Sequence, residues 1–142
     1  MIYGFPEFAV LDSPDIAHTG LVPHTIDAIE AYLDRRLDIG PDTDRTGNGL
    51  LVRGSPNVRR IGAALNTSFA AIDAAEAQQV DLMIVHHAPW AEIDMHLRAP
   101  KLAKLSALGI SLYAAHESLE SLGDRATRRY TCRVVGIDGR AV

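Results

Sequence analysis

The sequence predicts a layered α/β fold with a mostly parallel central sheet flanked by helices. Three observations carry this. The run Asp81-Leu82-Met83-Ile84-Val85 is continuously apolar after its polar boundary, as expected of a strand buried on both faces of a parallel sheet. Residues 25–37 place Ile26, Ile29, Leu33 and Leu37 three and four positions apart, which is one face of a helix. Strand-like and helix-like segments then alternate along the chain, the pattern of βα units.

The elements follow in order. Residues 1–24 carry Gly4, Pro6, Pro14, Gly20 and Pro23 at irregular spacing and read as an N-terminal arm, with one short strand over 8–11. Residues 25–142 read as a single α/β domain. Thr25 is the N-cap of the first helix, and Gly40-Pro41 stops it. A strand over 49–52 and a turn over 55–57 come next, then one strand over 58–65. Thr67 or Ser68 caps a helix over 69–79, where Ala70, Ala71, Ala74, Ala75 and Ala77 allow close approach to a sheet. After the strand at 81–85, a helix over 101–108 closes at Gly109, a residue suited to the left-handed turn after a helix. A strand over 110–115 follows, then helix or irregular structure from Leu119 and a last strand over 130–137.

Composition narrows the function. The 142 residues carry a formal net charge of −4, and no basic stripe exists to displace counterions from nucleic acid. Cys132 is the single cysteine, so no intramolecular disulfide forms, which fits a reducing compartment. With no signal-like start and no apolar run of membrane-spanning length, the expectation is a cytoplasmic protein that binds neither membrane nor nucleic acid.

The residues able to carry chemistry are histidines at strand ends. His86-His87 follow the strand at 81–85, and His116 follows the strand at 110–115. Ligand sites in open α/β sheets lie beyond the carboxyl ends of strands, so both positions belong in one crevice if the two strands are neighbours. Adjacent residues of a regular strand point to opposite faces; at a strand end, with Pro89 forcing a bend, the two imidazoles can splay toward a pair of cations. His116 and Glu120 share a face if the segment is helical. Imidazole with carboxylate suits zinc, iron or manganese, and paired ions of this kind support hydrolysis. Against this stands the plainer reading of a histidine pair as satisfied polar structure. His18, His24 and His96 read as surface or loop residues, Trp90 as core, an interface anchor or a pocket wall, and Cys132 as buried and inert.

Taken together, Asn66-Thr67 with its Ala-rich helix, the Asp81 to Pro89 segment containing His86-His87, and the segment from Gly109 to His116 resemble the family of NGG-one interacting factor three, also labelled GTP cyclohydrolase 1 type 2-like proteins. The segment from Thr46 to Val52 is more loosely similar to that family's Asp-Asn-x-Gly-Leu. The resemblance runs from about Thr25 to Gly123 and covers the first half of the family's two-half fold. It implies a dinuclear centre of divalent ions, with His86 and His87 as ligands, Glu120 as ligand or bridge and His116 beside them. It also implies a homo-oligomer, a toroidal hexamer. Glu120 and Asn66 each stand where the family usually shows an aspartate. The family's second His-x-x-x-Glu pair has no counterpart, since no histidine follows His116; another subunit, a substrate, or the arm with His18 or His24 would then complete the site.

Two functions are expected from this reading. One is a divalent-metal-binding, metal-dependent hydrolase of cyclohydrolase type, acting on a nucleotide or related small molecule. The other is a non-catalytic oligomeric scaffold whose metal site is vestigial.

Overall fold

The expected alternation of strands and helices builds one five-stranded sheet. The structure is a computed structural model that describes residues 8–11, 24–41, 43 and 47–120. Its strands are β1 (Phe8–Leu11), β2 (His24–Thr25), β3 (Asn48–Val52), β4 (Asn57–Val58), β5 (Ile61–Asn66), β6 (Leu82–His87) and β7 (Ser111–Ala115). The helices are α1 (Ile26–Arg36), α2 (Phe69–Ala77), α3 (Ala91–Asp94), α4 (Arg98–Ala107) and α5 (Glu117–Glu120), with a 3-10 turn at Met95–Leu97. The sheet order is β1-β5-β6-β7-β3. Strands β5, β6 and β7 run parallel at the centre, and β1 and β3 flank them antiparallel.

Period-two alternation in the central strands feeds two apolar clusters, one on each face. Along β6, Leu82 and Ile84 enter the cluster that holds Ile26, Ile29 and Leu33 of α1. Met83 and Val85 enter the other, with Ala71, Ile72 and Ala75 of α2 and Leu105 of α4. Helix α1 therefore covers one face, and α2 and α4 cover the other. Thr25 caps α1 by accepting from the Ala28 N–H at 3.2 Å, and Ser68 caps α2 by accepting from Ala71 at 3.0 Å. The buried tyrosine Tyr113 donates its hydroxyl to Asp34 at 2.8 Å, tying α1 to the sheet. No helix among the described residues is long and apolar enough to cross a membrane. The strand expected at 130–137 and Cys132 lie outside the described residues.

The single strand expected over 58–65 is instead two, β4 and β5, interrupted at Arg59 and Arg60. Asp81 is the cause. Its Oδ2 accepts the backbone N–H of Arg59 at 2.7 Å and of Arg60 at 3.0 Å, drawing both away from ladder pairing. β4 pairs with β2 in a separate two-stranded ribbon. Replacing Asp81 with alanine removes two hydrogen bonds at a partly exposed break, so Asp81→Ala is expected to lower stability by about 1 kcal/mol in urea denaturation. A variant as stable as the parent would mean that the break has another cause.

Candidate metal centre

The geometry of the site begins with strand register. β6 and β7 are parallel neighbours, with Val85 level with Ala114. Continuing that register sets His86 beside Ala115 and His87 beside His116. The adjacency that the sequence reading required is present. One detail differs from expectation: His86 and His87 are the last two residues of β6, inside the strand rather than beyond it. Their ring centroids are nevertheless 4.6 Å apart, and His116 lies 4.8 Å from His86 and 5.5 Å from His87. One ligand-capable nitrogen from each ring falls within 4.8 Å of the other two.

The tautomers are set by neighbours. His86 Nδ1 lies 3.0 Å from the Ala115 carbonyl oxygen, which can only accept, so Nδ1 carries the proton and Nε2 the lone pair. His87 Nδ1 donates in the same way to Asn66 Oδ1 at 2.7 Å. Thr67 then holds the strand end beneath His87, with both its N–H (3.2 Å) and its hydroxyl (2.9 Å) donating to the His87 carbonyl. Ligand imidazoles are commonly oriented by such contacts at the other ring nitrogen.

His116 is placed through the backbone. Asn48, at the start of β3 and only 3% exposed, turns its Oδ1 toward the β7–α5 junction. That oxygen accepts from the His116 N–H at 3.1 Å, the Ser118 N–H at 3.3 Å and the Ser118 hydroxyl at 2.8 Å. The next residue, Gly49, has φ of +86°, a conformation that side chains disfavour. Gly47 lies close against Trp90; a Cβ there would stand 3.1 Å from the indole nitrogen. Trp90 in turn meets His116 edge-on at 4.9 Å and lies 5.3 Å from His87.

A pocket of about 710 Å³ opens beside the imidazoles, lined among others by His87, His116, Trp90, Asn66, Asp94 and Lys101. Trp90 thus takes the pocket-wall role that the sequence left open. Lys101 is 9% exposed and forms an ion pair with Asp94. Glu120 closes α5, directly after the His116 turn, but its side chain lies outside the described residues. His24 is exposed in β2, near the opposite end of β5 from Asn66, and His96 is exposed in the 3-10 turn. His18 falls outside the described residues.

These donors fit a divalent cation. Three nitrogens around one zinc ion, each about 2.0–2.1 Å from it, stand about 3.3 Å apart in a tetrahedron. The three rings already bring one such nitrogen each to within 4.8 Å of the others. Sequence reasoning missed Asn48, Thr67, Lys101 and Asp94. Asn48 and Thr67 lay in segments already singled out, without these roles; no spacing rule marks the other two. Asn48→Ala touches no ligand nitrogen, yet it is expected to weaken divalent-metal affinity about 10-fold or more by releasing the His116 turn. Metal titration of the folded variant checks this, and unchanged affinity would remove Asn48 from the site.

The model of the family Duf34/NIF3 (NGG1p interacting factor 3) matches residues 24–140. Among curated proteins, a GTP cyclohydrolase 1 type 2 homolog of Pyrococcus horikoshii is 37% identical over 98 residues, covering 67% of this chain and 39% of that protein. A protein of the same name from Yersinia pestis is 34% identical over 105 residues, covering 69% and 42%. This chain thus spans less than half the length of these curated relatives. Among solved structures, TTHA1606 from Thermus thermophilus superposes with a TM-score of 0.63 at 32% identity, over 82% of this chain and 50% of that one. The protein ybgI, of unknown function, shares the fold with a TM-score of 0.67 at 23% identity, over 81% and 48%. By sequence along most of its length and by fold, the chain belongs to the Duf34/NIF3 family.

Proposed function

We propose that the chain is a divalent-metal-binding protein of hydrolase type, acting on a nucleotide or a related small molecule. The observation that carries this is the convergence of three imidazoles, two with their protons fixed on Nδ1 by oxygen acceptors. His86, His87 and His116 would hold the metal, and Glu120, four residues beyond His116, would add a carboxylate as ligand or bridge between two ions. Zinc, iron and manganese suit this donor set. A divalent ion so held supplies Lewis acidity and activates water for hydrolysis.

The surrounding residues have definite tasks in this reading. Ala115 and Asn66 orient the imidazoles of His86 and His87, Asn48 anchors the turn that presents His116, and Trp90 forms part of the pocket wall. A volume of about 710 Å³ is of the size that holds a nucleotide-sized molecule. The name carried by the relatives, GTP cyclohydrolase 1 type 2 homolog, supports a nucleotide as the substrate class.

A second reading, an oligomeric scaffold without chemistry, is favoured by exposed apolar side chains next in sequence to pocket-lining residues: Leu65 (57% exposed), Phe69 (36%) and Met95 (70%). Self-association through such a rim is compatible with the hydrolase reading as well, and light scattering would register it as a homo-oligomer.

Elemental analysis of protein purified without added metal separates the two readings. About two ions per chain, lost in His86→Ala and in His87→Ala and reduced in Glu120→Gln, is the expected result. A single ion lost in the same variants would restrict the centre to one metal. Absence of metal under every loading condition would sink the hydrolase proposal and leave the scaffold.

A further inference from the structure

The pocket beside the imidazoles contains a cation that the metal centre does not use. Lys101 sits in the first turn of α4 and is 9% exposed, a burial that lysine seldom accepts. Its side chain lines the same pocket as His87 and His116. Among the described residues its ammonium has one partner, the Asp94 Oδ1. An ammonium has three donors. One is taken by Asp94, which leaves two for whatever occupies the pocket. A buried ion pair adds little to stability over an apolar pair of similar size, so packing alone does not account for a lysine here.

Charge points the same way. The pocket lining carries the carboxylates of Glu92 and Asp94 against the single ammonium of Lys101, a net negative wall. A divalent cation held by the imidazoles turns that balance positive. An anionic group would then find cationic charge at two places in one cavity.

We infer that Lys101 is the anion-recognition residue of this pocket, and that the ligand is a small molecule bearing an oxyanion, phosphate or carboxylate. Asp94 positions the ammonium and partly neutralises it. Lys101 grips the charged end of the ligand, and the remainder lies against Trp90. This deepens the proposed hydrolase reading, since a nucleotide carries its charge on phosphate.

Trp90 is the only tryptophan in the sequence and lines the pocket, so its fluorescence reports occupancy. Zinc-reconstituted protein, freed of excess metal, is titrated with inorganic phosphate and, in a parallel arm, with acetate. Lys101→Met is expected to weaken binding of the preferred anion about tenfold or more, as loss of a charge-assisted hydrogen bond does, at unchanged zinc content. Lys101→Arg keeps the charge and is expected to retain most of the affinity. Asp94→Asn removes the competing carboxylate and is expected to tighten binding. Preference for phosphate assigns a phosphorylated ligand and preference for acetate a carboxylic acid; either outcome carries the inference. Folded Lys101→Met that binds both anions as the parent does would overturn it, as would a parent that binds neither. If Lys101→Met does not fold, Asp94→Asn decides, and unchanged or weaker binding there counts against the inference. Zinc content measured on the same samples keeps the two ideas apart. A parent that takes up no zinc sinks the hydrolase proposal; a parent that holds zinc and whose anion affinity is untouched by Lys101→Met sinks the Lys101 assignment alone.

Discussion

The site depends on the parallel pairing of β6 with β7. Parallel strands joined by a helix both end on the same side of the sheet, so the residues at their carboxyl ends are delivered to the same crevice. Here the register goes further and aligns residues. With Val85 level with Ala114, the Ala115 carbonyl meets His86, and His116 comes up beside His87. A slip of one residue would turn the side chains of β6 to the opposite faces and, in one direction, set His86 in the core where Val85 belongs. The hydrophobic demands of the core and the chemical demands of the site are thus met by one register.

Burial is divided along the same axis. The two clusters that hold the sheet and helices together are apolar, built on residues such as Ile72, Leu82, Leu105 and Leu112. Buried polar residues gather instead at the carboxyl end: Asn48, Thr67, Lys101 and Ser118 are all there, with Ser111 the exception at the opposite end of β7. Burying such groups is costly unless they are paired, and among the described residues no buried side-chain nitrogen or oxygen lacks a partner. The polar end is consequently a built network. Asn48 illustrates its economy: one amide oxygen accepts three hydrogen bonds and thereby fixes the turn that carries His116.

Neighbouring histidines within a strand pose a geometric problem, since successive side chains leave on opposite faces. The chain solves it at the strand terminus, where the ladder ends and Ala88-Pro89-Trp90 carry the backbone away from the sheet. There His86 leans against the backbone of β7, while His87 is held from the other side by Asn66 of β5. With each ring fixed by a different neighbouring strand, the two ring centroids stand 4.6 Å apart. Trp90, packed over Gly47 and edge-on to His116, closes the third side.

Local patterning determined much of this protein by itself. The apolar spacing of Ile26, Ile29 and Leu33, the caps Thr25 and Ser68, and the apolar run ending at Val85 each act within a few residues, and the elements they specify are the ones that form. The positions of His86, His87 and His116 at strand ends were equally legible, because strand termini are marked by the sequence around them. The break at Arg59 and Arg60 was not, since its cause is a carboxylate more than twenty residues away. Nor were the roles of Asn48 and Lys101: Asn48 meets His116 and Ser118 only once the sheet has formed, and Lys101 comes to share a pocket with the imidazoles only once α4 has packed. Residue type and periodicity decide which element forms; which side chains share a cavity is decided by strand order, register and the requirement that every buried polar group find a partner.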